Sequence, residues 1–509
     1  MPASQKRFPL ATIDLGAQSC RLLIAEYVPG SEKPVILEEL SVSIPLGADV
    51  FRHGAISDTA IRMLCNIFSN FRNKLNEYGI RHYRAIATSA VREAANAPVL
   101  LERIRHATGI TVTLFEGTDE ARLNYLTLAN VLPAKLEFHR KSSLIADIGT
   151  GACQISAYKD GAFCFTETIK LGTLRVLEQI PGIISAEGIW KYLTPVIDKA
   201  FTELRQIASN IRSRNLFAMG GSVRALLYLF GSPDSREEVR KVRRKDFEEK
   251  MISLRSMSLE NLSDTYNIPA DLAETVIPCA IIIDNLFRIT GATTLIVPTV
   301  TMKQGLLLDF MRELLKKNDA FTRQIEEMVR MTAEKYRAGN DFTRRTALFA
   351  EKLFCQLQQL HGCSPRESLL LRIAAHLHKT GLFINNQSYH IHSGYIIRST
   401  EIPGISQQER QIAALTARYH RRQTPDLHPQ DMEHLPADAR SSVLKLSALL
   451  RIACALAESC RSVTQFQIRI EPERVVLVPS PELQLTGLAI PEQDVAYFRR
   501  VFAMPLLVK

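Results

Sequence analysis

The sequence predicts a duplicated α/β core of two similar domains facing a cleft, followed by an all-α domain and a small α/β tail. Three observations carry this prediction. An Asp-x-Gly turn between two strand-like runs occurs twice. The pattern alternates strand and helix up to about residue 310. Long amphipathic helices then take over. At 509 residues the chain exceeds what a single core supports.

The first domain is expected over 1–133. FPLATIDLG and RLLIAEY read as two strands around a tight turn, and VILEELSVSIPL as another pair. ISDTAIRMLCNIFSNFRNKLNEYG is an amphipathic helix closed by Gly79. YRAIATSAVR runs from strand into helix, TVTLFEG is a strand and TDEARLNYLTLANVL a helix. Pro133 and KLEFHRK mark a boundary.

The second domain, 134–310, repeats the opening of the first. In SSLIADIGTGACQISAYKDG, Asp147, Gly149 and Cys153 align with Asp14, Gly16 and Cys20 at an offset of 147 − 14 = 133 residues. That offset is one domain length, and duplication implies a cleft between two like halves. FAMGGSVRALL adds a strand, a Gly-Gly turn and a helix. The helical domain is expected over 311–460. The tail, 461–509, returns to strand-like alternation before a short helix.

Composition narrows the function classes. With 46% hydrophobic and 23% charged residues the chain is globular, which excludes disordered and fibrous classes. Its longest apolar runs, such as VIPCAIII at 276–283, fall short of a membrane span. A balance of 63 Lys+Arg against 53 Asp+Glu favours an anionic partner, and a single Trp makes nucleic acid the weaker choice. The nine scattered cysteines lack a CxxC pair and read as reduced thiols of a cytoplasmic protein.

The Asp-x-Gly turns carry the chemistry. A glycine after a buried strand lets backbone amides approach an anion, and an adjacent aspartate can hold hydrated Mg²⁺. Gly220-Gly221-Ser222 opens onto a helix whose N-terminus favours phosphate. In EGTDEARLNY two readings stand. Thr118 or Asp119 caps the helix with Glu120 merely in its first turn, or Glu120 projects into the cleft as general base. Arg92 is either a phosphate clamp or an exposed helix arginine.

These segments resemble the exopolyphosphatase / guanosine pentaphosphate phosphohydrolase (Ppx/GppA) family. The carriers are ATIDLGAQSCRLLIA, AIATSAVREAANAPVLLERIRHATGITVTLFEGTDEARLNYL, LIADIGTGACQIS, KLGTLR, AMGGSVRALL and TMKQGLLLD. LRIAAHLHKTGLFI, SYHIHSGYII and ALTARYHRR are similar to the HD-like domain of its long members. The resemblance implies a ribonuclease-H-like core of the actin–Hsp70–sugar kinase superfamily, and Mg²⁺-dependent cleavage of terminal phosphoanhydrides of polyphosphate or guanosine pentaphosphate. It also implies a homodimer. Glu120 matches the family's catalytic glutamate, Asp147 and Asp14 its metal and water organisers, and Arg92 its Ser-x-Val-Arg arginine, so Asp14, Glu120 and Asp147 form the expected metal set. Gly16, Ser19, Gly149, Gly151, Gly221 and Ser222 would cradle phosphate.

Departures accompany the match. Gln154 and Thr150 stand where the family has an acid and a glycine, and a neutral amide is a poorer Mg²⁺ ligand. A degenerate binder of polyphosphate or alarmone is therefore a rival to the enzyme. In the helical domain, Phe342, Lys379 and Cys454 occupy positions where an active HD enzyme carries metal ligands. His376, His378, His390, His392 and His420 are accordingly read as structural or phosphate-facing. REEVRKVRRKDFEEK (236–250) reads as a solvated helix. Arg418, His420, Arg421 and Arg422 are expected to guide a long polyanion.

Overall fold

The computed structural model describes residues 7–133, 141–160, 162–180, 186–208, 211–231, 238–255, 257, 259–268, 270–315, 317, 321–421, 429–459, 466–479 and 489–508. The chain divides into two compact units, Met1–Thr322 and Arg323–Lys509.

In the first unit, β1 (Phe8–Leu15), β2 (Ser19–Tyr27), β3 (Val35–Ser43), β4 (His82–Ala87) and β5 (Val112–Leu114) form a sheet ordered β3-β2-β1-β4-β5. β2 is antiparallel to β1 and β3, whereas β4 lies parallel to β1 and β5 to β4. The second sheet repeats the plan. β6 (Ser143–Ile148), β7 (Cys153–Lys159), β8 (Ala162–Ile169), β9 (Asn215–Met219), β10 (Val239–Arg243) and β11 (Thr294–Pro298) are ordered β10-β11-β9-β6-β7-β8. β7 is antiparallel to β6 and β8, β9 lies parallel to β6 and β11 to β9, with β10 as an added antiparallel edge. The duplication expected from the two turns thus extends to strand order and direction.

Local chemistry explains the elements. The helix Asp58–Glu77 starts where Ser57 Oγ accepts the Ala60 N–H at 3.2 Å. It buries Ile61, Leu64, Phe68, Phe71 and Leu75, a helical stripe. Each such side chain contributes about 1.5–3 kcal/mol on burial. The run at 276–283 lies in the helix Ala270–Thr290 and is core of the second sheet, with Val276, Ile277, Ile281, Ile282 and Ile283 buried. Among the described residues no helix is long and apolar enough to cross a membrane.

Three expectations change. VILEELSVSIPL makes one strand, β3, because Ile44 leaves it to bond Gln18 O through its N–H at 2.9 Å and a helix, Leu46–His53, begins. Part of the basic 236–250 stretch is strand β10, paired with β11, before the helix Arg244–Arg255. The helix Met302–Leu314, expected to close the second domain, packs on the first sheet. Its Leu307, Leu308, Phe310 and Met311 join Leu10, Leu23, Ala25 and Tyr27 in one apolar cluster.

The second unit is largely helical, around the helix Ala437–Ser459, which is buried over most of its length. Capping boxes at Ser364/Glu367 and Ser406/Glu409 start two of its helices. The small sheet β12 (Phe466–Glu471), β13 (Arg474–Pro479) and β14 (Leu506–Val508) belongs to the same unit. The tail is fastened by its helix Glu492–Phe502. Arg451 reaches Asp494 at 3.3 Å and lies 4.4 Å over the Tyr497 ring, and Tyr497 OH is 2.9 Å from Ser447 Oγ.

Candidate active site

The two turns end matching strands and share one geometry. Gly16 N–H donates to Ser19 O and Gly149 N–H to Ala152 O, each at 3.0 Å. Asp14 stands cross-strand from Arg21, and Asp147 from Gln154. At 133 residues' offset, Arg21 and Gln154 are therefore counterparts. Gly220, between β9 and the helix Gly221–Leu227, has φ +117°, and a Cβ there would lie 2.3 Å from Ile148 O. Only glycine fits that backbone.

These turns border a cavity of about 210 Å³ between the two sheets. Of the residues expected from the sequence, Asp14, Gly16, Ser19, Glu120, Asp147, Gly149, Gly151, Gly221 and Ser222 all line it. Ser222 is buried and its hydroxyl is held by Thr173 Oγ1 at 2.9 Å. Gly151 is tight, since a Cβ would meet the Phe51 ring at 2.6 Å and Ser89 Oγ at 2.7 Å. Arg175 closes this end by donating to Gly151 O at 2.6 Å and to Glu93 at 2.7 Å.

Glu120 lies in the helix Gly117–Val131, whose cap differs from either expected residue. Glu116 is the N-cap, and Asp119 accepts the Glu116 N–H at 3.1 Å. With capping satisfied by that pair, Glu120 turns to the cavity. Arg92 Nη1 donates to Glu120 Oε1 at 2.7 Å and also to Phe115 O. Arg92 thus holds the glutamate from behind and is absent from the cavity wall.

Burial pushes the Glu120 carboxyl up to about 7, with Asp147 and Asp14 adding to the rise and Arg92 opposing it. Burial likewise raises Asp14 and Asp147. Asn124 Nδ2 donates to Asp147 Oδ2 at 3.0 Å and to Gln154 Oε1 at 3.2 Å, while Gln154 Nε2 donates to Gly117 O. The Gln154 amide therefore ties β7 to the first turn of the Glu120 helix. Gly117 permits this approach, since a Cβ there would lie 2.5 Å from Thr168 Oγ1.

Among the described residues no three His, Cys, Asp or Glu side chains are grouped to hold a metal ion. Of the expected trio Asp14, Glu120 and Asp147, Glu120 is paired with Arg92. Asp14 and Asp147 remain. Asp14 Oδ1 is buried without a hydrogen-bond partner, and both carboxylates face the cavity. Hard carboxylate oxygens in this number suit Mg²⁺, which commonly takes one or two carboxylates and completes its shell with water and phosphate.

Arg21, Arg224 and Lys303 also line the cavity, and sequence reasoning passed over them. A signal existed: Arg21 sits at the duplication counterpart of Gln154, and the other two lie in SVRALL and TMKQGLLLD.

In the second unit the predicted HD-position residues do come together. Lys379 Nζ lies 3.5 Å from the Phe342 ring centre, and Cys454 Sγ 3.7 Å from His378 Nε2. Burial pushes His378 down to about 3 and lowers His420, so both rings are neutral and neither offers a cation to phosphate. Of the expected polyanion guides, Arg418 is paired with Asp431 at 3.0 Å and His420 is buried. Arg421 is exposed, and Arg422 lies outside the described residues.

Comparison with known proteins agrees with this layout. The model of the Ppx/GppA phosphatase family matches residues 23–314, and that of Ppx/GppA phosphatase, domain III, matches 325–474. A guanosine-5'-triphosphate,3'-diphosphate pyrophosphatase of Pseudoalteromonas translucida is 24% identical over 88% of this chain and 86% of its own. The Vibrio vulnificus protein of the same name is 22% identical, over 93% and 91%. Among solved structures, an exopolyphosphatase from Cytophaga hutchinsonii superposes with TM-score 0.54 at 20% identity, covering 61% of this chain and 99% of that one. The Aquifex aeolicus Ppx/GppA family member gives 0.51 at 21%, covering 62% and 99%.

Proposed function

The chain belongs to the Ppx/GppA phosphatase family, whose members hydrolyse phosphoanhydride bonds, and from that premise we propose that it is an exopolyphosphatase acting on the terminal phosphate of inorganic polyphosphate. The observation that carries this reading is Glu120, held by Arg92 at 2.7 Å on a cavity walled by three glycine turns and three cations. Glu120 Oε2 is the atom to accept a proton from an in-line water, and Arg92 fixes the orientation of its carboxyl group. Phosphoryl transfer needs charge neutralisation and alignment more than covalent help. With the Gly16 and Gly149 N–H groups bonded to Ser19 O and Ala152 O, the amides that follow them in the two turns, and that of Gly221, would supply fixed donors for phosphate oxygens. Asp14 and Asp147 would hold Mg²⁺, which would screen the charge of the terminal phosphate.

Gln154 supports retained catalysis over a degenerate binder, because its amide is spent on positioning the Glu120 helix and leaves Asp14 and Asp147 in place. A second reading, hydrolysis of guanosine pentaphosphate, is favoured by the names of the Pseudoalteromonas and Vibrio relatives, matched over 86% and 91% of their lengths. Phosphate release with Mg²⁺ from long-chain polyphosphate and from guanosine pentaphosphate, with Glu120→Gln as control, tests both. Turnover on polyphosphate that depends on Glu120 supports the first reading. Turnover on guanosine pentaphosphate alone moves the assignment to the second, and binding without turnover on either overturns both.

A further inference from the structure

Arg21, Arg224 and Lys303 come from three elements: β2, the helix after the Gly220 turn, and the first turn of the helix Met302–Leu314. All three reach the same cavity. Lys303 is 12% exposed, and its nearest carboxylate, Glu39, is 3.7 Å away. Among the described residues Arg224 has no side-chain hydrogen bond or ion pair, and Arg21 donates only to the neutral Ser41 hydroxyl, at 3.1 Å. Asp14 and Glu39 offset these charges in part, but three like charges desolvated together still destabilise a fold. Burial and the neighbouring arginines push Lys303 down to about 8, and burial and Arg21 lower Arg224.

The arrangement is held by the surrounding structure. Arg122 clamps Asp309 with bonds of 2.9 and 2.7 Å, and Gly305 brings the Lys303 helix against Thr127 on the Glu120 helix. Lys303 therefore has a fixed position relative to Glu120. Asp14 links two groups on the cavity wall: Lys303 and Arg21 oppose its rise, while Asp14 itself adds to the rise of Glu120 and Asp147.

We propose that Arg21, Arg224 and Lys303 form a subsite for the leaving part of the substrate, a linear phosphoanhydride chain carrying at least two phosphates beyond the scissile bond. The inference rests on the phosphatase reading of the cavity and adds its direction. The terminal phosphate lies toward Glu120 and Asp147, and the remaining chain runs past Asp14 across the cations. In hydrolysis, water oxygen bonds to the terminal phosphorus, its proton passes to Glu120, and the bridging P–O bond breaks. The bond's electron pair stays on the leaving chain, where the three cations meet the new charge.

Equilibrium binding of tripolyphosphate, and separately of orthophosphate, to Glu120→Gln protein tests this without requiring turnover. Arg224→Gln and Lys303→Met, each added to that background, should weaken tripolyphosphate about 10–100-fold, as expected for a lost charge-assisted bond, and orthophosphate less than about threefold. Arg224→Lys should recover part of the loss. Guanosine triphosphate is the second probe: equal losses for both probes place the cations on the phosphate chain, whereas loss for the nucleotide alone overturns the proposal. Equal losses for orthophosphate and tripolyphosphate also overturn it. Ligand-free Arg224→Gln should melt no lower than its parent, since repulsion is relieved, and a lower melting temperature would assign Arg224 a structural role instead. Absent turnover in the wild type with these binding losses intact would sink the phosphatase reading alone.

Discussion

Replacing Gln154 with Glu would restore the acid that the family resemblance leads one to expect, yet the structure predicts that it does harm. The Gln154 amide donates to Gly117 O and accepts from Asn124 Nδ2. A carboxylate keeps the second bond but sets an oxygen against the Gly117 carbonyl. Losing a buried donor in this way costs about 1–3 kcal/mol. The added charge also faces a cluster in which burial has already raised Asp14, Asp147 and Glu120. A further rise of about one unit in Glu120, or about 1.4 kcal/mol, follows from a new like charge at this range. Starting from about 7, the ionised fraction at pH 7 then falls from about a half to about a tenth, a fivefold drop in kcat/KM. The assay is a pH–rate profile of phosphate release beside thermal melting. Gln154→Glu should shift the acidic limb upward and melt several degrees lower, roughly 3–8 °C. Gln154→Met, which removes both bonds without adding charge, should lower melting but leave the limb in place. A Gln154→Glu protein with an unmoved limb and equal or higher activity would refute the reasoning and identify Gln154 as a lost ligand.

Other consequences are as direct. Glu120→Gln should lower kcat about 10²–10⁴-fold with little change in substrate affinity, as read by steady-state phosphate release. In the wild type, kcat/KM should rise with pH through about 7, because only the ionised Glu120 accepts a proton. The stability sign is opposite. A carboxyl raised in the folded state contributes stability fully below its unfolded value near 4.5, and that contribution is lost as pH climbs through about 7, so Glu120→Gln should gain melting temperature over wild type at pH 8 but not at pH 4. Gly220→Ala, which forces a Cβ to within 2.3 Å of Ile148 O at φ +117°, should lower the melting temperature measurably and abolish phosphate binding. In the second unit, Asp494→Ala leaves the buried Arg451 cation without its carboxylate and should cost about 3–5 kcal/mol in denaturant unfolding.

Much of this protein was legible in its sequence because local rules governed it. Alternating strands ending in Asp-x-Gly, the 133-residue offset and the stripes of helices such as Asp58–Glu77 are short-range patterns, and strand order and direction repeat as the duplication requires. The cavity's aspartates and glycines were legible for the same reason, since they sit at strand ends and the turns that follow them, and at Gly220 the backbone itself requires glycine. Capping at the Glu120 helix was harder. Thr118, Asp119 and Glu116 all suit a helix start, and only the Asp119 contact with the Glu116 N–H decides among them.

What tertiary structure alone decided were contacts between segments far apart in the chain. No pattern within β7 says that Gln154 will meet Gly117, 37 residues earlier, or that an amide fits there where an acid would not. The helix Met302–Leu314 looks like the end of the second domain by sequence position, but its apolar face completes the first sheet. That return carries Lys303 into the cavity beside Arg21 and Arg224. Sequence set which residues could turn, cap or bury, because those properties are intrinsic to a residue and its neighbours. Which charges would share one cavity was set by packing, because electrostatic interaction depends on distance in space and not on separation along the chain.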